Sequence, residues 1–385
     1  MYCEPVDLAP LGIVGGGPIG RMLLQAAAPL GLHPRVLAPT PEHPAARVSR
    51  NVVVGDAGPE VLDAFTGSVA VATFEHDGLD PDLLADLERR GRTLRPGAAA
   101  LRSSIDKAAQ RRSLAAARFP VPPAITAADA EQVADAVRVF GLPAVIRPAR
   151  AVPGGAGVRL VTARDQLAAA LASMPGAVLV EPLLGVEAVL SVLVARRPSG
   201  EVRPYPVIRI ARAEGGARVA EAPSGLPADV ERRAQQLAVR VADHLDAVGV
   251  LAVELLLVGG ELVVHDLVAR PHESGHLTVE ACATSQLENH LRAVLDWPLG
   301  PTDLLVPAAA AVAVTAADET AVPHLGVHTV LAGGDVNLHL YDVPPAPGVE
   351  LGHVTVTGTE PDAVRGLAAW AAGSLGAARD LAVVG

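Results

Sequence analysis

The apolar positions open as a short run, Leu11 to Val14, which gives way to Gly15-Gly16-Gly17-Pro18-Ile19-Gly20 and then to Arg21–Ala28, a stretch of helical composition. This order predicts a strand, a glycine turn and a helix. Short apolar runs at Arg35–Leu37, Asn51–Val54 and Val69–Thr73 follow at α/β spacing, so an open parallel sheet is expected to about residue 100. A helix over Ser104–Ala117 comes next, ended by Pro120, Pro122 and Pro123. Strands are predicted near 144–147, 158–161, 177–181 and 189–196, and a helix over 228–248. A hairpin then pairs Leu251–Val258 with Leu262–Val268 across Gly259-Gly260. A helix from Leu277 toward Leu295 and, after Gly300-Pro301, a small β-rich end complete the pattern. The fold class is α/β and α+β multidomain, with domains expected at 1–103, 104–300 and 301–385.

Composition narrows the function classes. The chain has 385 residues, half of them hydrophobic and only 2% aromatic, so a sizeable core must be packed from small aliphatic side chains. Its net charge is -11 and its only lysine is Lys107, which argues against nucleic acid as a partner. Two distant cysteines, Cys3 and Cys282, fit a reducing cytoplasm better than a disulfide framework. The apolar run Val306–Ala317 is too short to span a bilayer, and Met1–Pro10 lacks a signal-peptide pattern. A cytoplasmic protein acting on a small molecule, with no membrane partner, is expected.

Three motifs carry candidate chemistry. The glycine turn matches the dinucleotide fingerprint, but the second strand ends in Ala38-Pro39-Thr40, with no acid for a ribose. A tight turn touching some other anion is the favoured reading. His272-Glu273-Ser274-Gly275-His276 is a literal H-E-x-x-H, yet Pro271 before it and Gly275 inside it predict a loop, not the helix that zinc hydrolysis requires. Glu254 and Asp266 lie on the two hairpin strands near Arg270. Two facing carboxylates can hold magnesium between phosphate oxygens, and an arginine can steady phosphoryl charge; a surface pair is the bland alternative.

The segments Gly249–Glu254, His265-Asp266-Leu-Val-Ala-Arg270-Pro271-His272-Glu273-Ser274-Gly275-His276 and Ala281-Cys282-Ala-Thr284-Ser285-Gln286-Leu-Glu288-Asn-His290-Leu-Arg292-Ala293 resemble the carboxyaminoimidazole ribonucleotide synthetase (PurK) family of ATP-grasp enzymes. The opening Gly15–Met22, Thr73-Phe74-Glu75-His76 and Gly352-His353 extend the resemblance over essentially the whole chain. It implies an ATP-grasp fold with an N-terminal parallel-sheet domain, a lid at about 120–196 and a small β-rich C-terminal domain, commonly as a homodimer. The implied activity uses ATP and bicarbonate to make carboxyphosphate and carboxylates the amine of aminoimidazole ribonucleotide. ATP and Mg2+ are the implied cofactors, with Glu254 and Asp266 as metal ligands and Arg270 and His272 as catalytic residues. Gly17, Glu75, Ser274 and His276 fall on the substrate side. Arg111 and Arg147 stand where lysines usually contact ATP, Glu181 falls at the hinge over the adenine, and Gly154, Gly155 and Gly157 remain of the lid loop.

The departures from the family pattern concern both substrates. The lid reads Ala151-Val152-Pro153-Gly154-Gly155-Ala156-Gly157-Val158, without the family's Tyr, Asp and basic residue, and Val189 replaces a ribose-gripping glutamate. His265 replaces an asparagine beside the metal-binding acid. Near the C-terminus Val343, Ala346, Val349 and Glu350 stand at four basic positions, so a ribose phosphate would lose charge-assisted partners. The leading expectation is an ATP-grasp ligase with an altered acceptor. A homologue whose ATP chemistry is lost or replaced is the alternative, and the family's own purine reaction ranks last.

Overall fold

The computed structural model describes residues 10–151, 157–172, 174, 176–212 and 217–377. The first sheet is parallel. β1 (Leu11–Val14) and β2 (Arg35–Ala38) flank one another, with β3 (Val52–Val54) outside β2 and β4 (Val71–Phe74) on the other side of β1. Its helices α1 (Pro18–Ala27), α2 (Pro59–Gly67) and α3 (Pro81–Arg89) each begin with proline, where the missing N–H costs nothing.

The single helix expected over 104–117 is two, α4 (Ala98–Ile105) and α5 (Lys107–Ala116). Asp106 leaves helical geometry and caps α5 through Ala109 N–H, the preferred conformation and chemistry for an aspartate at that position. This break turns Lys107 and Arg111 toward the centre of the molecule.

A second sheet is antiparallel in the order β5 (Ile125–Ala127), β8 (Val178–Pro182), β6 (Ala144–Pro148), β7 (Arg159–Val161). The helices α6 (Ala130–Phe140) and α7 (Leu167–Ala172) accompany it. Ala144, Ile146 and Pro148 of β6 are buried, so alternation puts Arg147 on the other face.

The third sheet has nine strands. β9 (Val186–Arg196) pairs with the short β10 (Val202–Pro204), with β11 (Ile208–Arg212), which carries β12 (Arg218–Ala222), and with β13 (Gly249–Val258), whose hairpin partner is β14 (Glu261–Val268). The strand expected at the end of the lid is thus part of this sheet. α8 (Ala228–His244) covers one face, burying Ala234, Leu237, Ala238 and Val241. The helix expected from Leu277 toward Leu295 is interrupted. α9 (Thr278–Ala281) stops where Cys282 bridges Leu304, and Ser285 caps α10 (Gln286–Val294). The β-rich end does not form a sheet of its own: β15 (Ala308–Thr315) joins β12, and β17 (Glu350–Gly358) and β16 (Val336–Leu340) follow, backed by α11 (Pro323–Ala332) and α12 (Pro361–Gly376).

The N-terminal sheet is fastened to the large one by a buried imidazole. His290 Nδ1 accepts from Val250 N at 3.0 Å and Nε2 donates to Thr73 Oγ1 at 2.7 Å. Gly249 has φ +106°, and a Cβ there would lie 2.8 Å from that ring. No helix among the described residues is long and apolar enough to cross a membrane.

Candidate active site

Glu254 and Asp266 are directly opposed across the hairpin, as the sequence predicts. One residue later the register slips so that Leu255 faces Val264, leaving His265 as the extra residue of a bulge. Asp266 faces α5 and β6. Its Oδ1 accepts from Lys107 Nζ at 2.5 Å and Gln110 Nε2 at 3.2 Å, and its Oδ2 from Arg147 Nη2 at 2.9 Å. Burial opposes the charged form, but Lys107 and Arg147 overcome it and hold this carboxyl well below the usual range. His265 is pushed down to about 4 by burial and then by Arg147, and its Nδ1 has no partner. Arg147 therefore spans the cleft between the second and third sheets.

Arg111 points into the same cleft. It pairs with Glu181 at 2.6 Å, both side chains being buried, and donates to the carbonyl of Val264 at 3.2 Å. Glu181 is thus held by a guanidinium rather than open to a nucleotide. Gly157, at φ +103°, lies beside Pro148, while Gly154 and Gly155 lie outside the described residues. Three cations, Lys107, Arg111 and Arg147, face two acids here, an arrangement that fits nucleotide phosphates.

The metal ligands fit less directly. Among the described residues Glu254 has one ion-pair neighbour, Arg218 at 3.9 Å, whereas both oxygens of Asp266 are already taken by cations. Among the described residues no group of three or more His, Cys, Asp or Glu is placed to hold a metal. As paired here, Asp266 has no oxygen free for magnesium.

The loop after β14 is built on Gln286. Its Oε1 accepts from His272 N at 3.0 Å and its Nε2 donates to His272 O at 2.7 Å. Glu273–Gly275 form a 3-10 turn instead of the helix that a zinc motif needs, and a Cβ on Gly275 would meet Gln286 and Leu193. The two imidazoles diverge. His272 Nδ1 lies 2.9 Å from Ser274 Oγ, which also bonds Ser191, and His276 Nε2 lies 3.2 Å from the Tyr341 hydroxyl. Arg270 is oriented by Asp77, with Nη2 and Nε at 2.9 and 3.2 Å from one carboxylate oxygen.

Tyr341 gathers a cluster that the motifs alone do not reveal. Its hydroxyl reaches His353 Nδ1 at 2.6 Å and Glu350 Oε1 at 3.3 Å, and the rings of His276, His353 and His339 stack at 4.3 and 4.4 Å. His339 Nε2 lies 2.6 Å from Glu280 Oε1. Burial drives His276 down to about 3 and His353 well below its ordinary value, while burial and then Glu273 push Glu350 up to about 7. The contacts of the candidate site that the sequence did not reveal are those of Lys107 and Gln110 with Asp266 and of Asp77 with Arg270. Only the solitary lysine beside a capping aspartate offered a signal.

Gly17 and Glu75 meet at the start of α1. Both carboxylate oxygens of Glu75 accept helix-terminal N–H groups, from Gly17 at 2.5 Å and Gly20 at 2.9 Å. The anion expected at the glycine turn is the chain's own side chain.

Comparison with known proteins settles the family. Residues 112–287 match the ATP-grasp domain model and residues 8–104 the ribonucleotide synthetase preATP-grasp model. An N5-carboxyaminoimidazole ribonucleotide synthase of Mycobacterium bovis is 37% identical over 366 residues, covering 92% of this chain and 85% of its own. The chain belongs to the N5-carboxyaminoimidazole ribonucleotide synthase family. The family synthetase of Thermotoga maritima superposes with TM-score 0.84 at 30% identity, covering 94% of this chain and 97% of its own. The ADP complex of another family synthetase gives 0.86 at 27% identity, covering 96% and 98%. These synthases are named for the reaction that the sequence departures rank last, and their similarity brings that reaction forward.

Proposed function

We propose that this chain is an ATP-dependent carbon–nitrogen ligase that activates bicarbonate or another carboxylate with ATP and passes the acyl group to an amine. The observation that carries the reading is the cleft in which Lys107, Arg111 and Arg147 converge beside the opposed carboxylates Glu254 and Asp266. In the first step a carboxylate oxygen attacks the γ-phosphorus, its bond to the β–γ bridging oxygen breaks, and ADP leaves. In the second the amine nitrogen attacks the mixed anhydride, inorganic phosphate leaves and the nitrogen loses a proton. Guanidinium and ammonium groups favour these steps by opposing charge on the phosphoryl oxygens.

Lys107 and Arg147 would exchange Asp266 for nucleotide phosphate, releasing a carboxylate that joins Glu254 around Mg2+. An ion held there would offset negative charge on the transferring phosphoryl group. Arg270, fixed by Asp77, and His272, fixed by Gln286, would face the reacting carboxyl, with Ser274 and His276 on the acceptor side. Aminoimidazole ribonucleotide, the acceptor in the relatives' named reaction, is the first amine to test. The assay follows phosphate release with ATP, bicarbonate and this nucleotide. Release that requires all three supports the relatives' reaction. Release with another amine alone retains the ligase and changes the acceptor, and no release with any amine contradicts the reading.

A further inference from the structure

Among the described residues, the acceptor end of the site offers no uncommitted group to hold a phosphate ester. This inference rests on the ligase reading, which places the acceptor along the loop running from Asp266 through His272 to His276 and Tyr341. A helix N-terminus is the ready anion site there, but at α1 Glu75 already occupies the amides of Gly17 and Gly20. Nearby cations are engaged: Arg270 with Asp77, Arg47 with Asp342, and Arg218 near Glu254 and Glu273. Arg21 donates to the Tyr341 carbonyl at 3.5 Å and lines a cavity of about 750 Å³ together with Leu351. Leu351 falls at a bulge in β17 and packs in the core with Val354 and Val356, whereas Glu350 lies with His353 at the Tyr341 hydroxyl.

Glu350 is the decisive group. Its carboxylate lies 3.3 Å from the Tyr341 hydroxyl and has no ion-pair partner among the described residues, and the charge it feels most is another acid, Glu273. The neutral, buried imidazoles of His276 and His353 each leave a ring nitrogen without a partner, Nδ1 and Nε2 respectively. Neutral rings of this kind supply no charge to hold an anion, whereas a dianion beside Glu350 would meet like charge in a partly desolvated site.

We infer that the acceptor is an amine whose remote end is uncharged, as in a nucleoside, and that Glu350 excludes a phosphate monoester from this pocket. Glu350 is thereby a specificity-determining residue. The test titrates aminoimidazole ribonucleotide and the corresponding ribonucleoside calorimetrically at pH 8, where Glu350 is ionised, into the wild-type chain, Glu350→Lys and Glu350→Gln. The quantity read is the ratio of the two dissociation constants, with a non-binder entered at its limit. Support is a wild-type ratio that does not favour the nucleotide and a shift toward the nucleotide of at least tenfold in Glu350→Lys, about 1.4 kcal/mol. Should that variant not fold, a threefold shift in Glu350→Gln decides. Any wild-type preference for the nucleotide, or smaller shifts in the variants, overturns the inference. A parallel Mg-ATP titration of the wild type separates the two failures: absent nucleotide binding sinks the ligase reading, while ATP binding with a nucleotide-preferring acceptor pocket sinks only the role of Glu350.

Discussion

Lys107 Nζ lies 2.5 Å from Asp266 Oδ1, so the chain's only lysine is committed to the carboxylate that the hairpin places opposite Glu254. The lysine reaches it from the first residue of α5, and Arg147 completes the pairing from β6. One acid thereby joins a helix, the second sheet and the third.

Asp266→Asn removes the charge that two cations share. Breaking a buried pair from one side costs about 3–5 kcal/mol, and partial exposure of Asp266 puts the expectation near the lower figure. Urea denaturation of the nucleotide-free variant should show that loss. An unchanged midpoint would mean that Lys107 and Arg147 do not depend on Asp266.

Glu75→Gln keeps the size of the side chain but sets an amide NH2 against one of two N–H groups that now meet carboxylate oxygen. One lost cap interaction and one unsatisfied donor are expected to cost about 1–3 kcal/mol. Equal stability of variant and wild type in chemical denaturation would contradict the capping role.

Gly15→Ala tests the same corner by sterics. Gly15 has φ +118°, and its Cβ would fall 2.2 Å from Glu75 Cγ, so both backbone and neighbour must shift. A loss of more than about 2 kcal/mol is expected, and a fully stable variant would show that Glu75 does not pack as described.

Much of this was legible in the sequence. The opening strand and helix, the parallel sheet and the hairpin follow from short apolar runs and glycine turns, but the facing of Glu254 and Asp266 needs the bulge at His265 as well, because an unbroken register across Gly259-Gly260 would set Glu254 opposite His265. The two helix breaks were not legible, because Asp106 ends one helix and caps the next, and Cys282 ends α9 before Ser285 caps α10, all within a continuous helical pattern. Neither was the cluster at Tyr341. His276, His339, Tyr341, Glu350 and His353 come from three segments, and only the joining of β15 to β12 carries the last four to the loop after β14. Residues conspicuous by type, such as Lys107 and Glu350, were visible as oddities, but their partners were not.

The buried imidazoles predict an acid-sensitive fold. His276 and His290 at about 3, His265 at about 4 and His353, all depressed by burial, bind protons in the unfolded chain below its ordinary value of 6.5 while staying neutral when folded. Stability is therefore full above that value and falls as pH drops from 6.5 toward 4. Glu350, raised to about 7, works the other way between 4.5 and 7 but is one group against four. Thermal unfolding should show a Tm several degrees lower at pH 5 than at pH 7.5. An equal or higher Tm at pH 5 would contradict the neutral burial of these rings.

The claim on which the functional account depends is that Lys107, Arg111 and Arg147 receive nucleotide phosphates. Calorimetric titration of the full chain with ATP, with and without magnesium, measures this directly. The account predicts saturable 1:1 binding that tightens with magnesium and weakens at least tenfold in Arg147→Ala. The absence of saturable binding at millimolar ATP, or an affinity indifferent to Arg147, would contradict it.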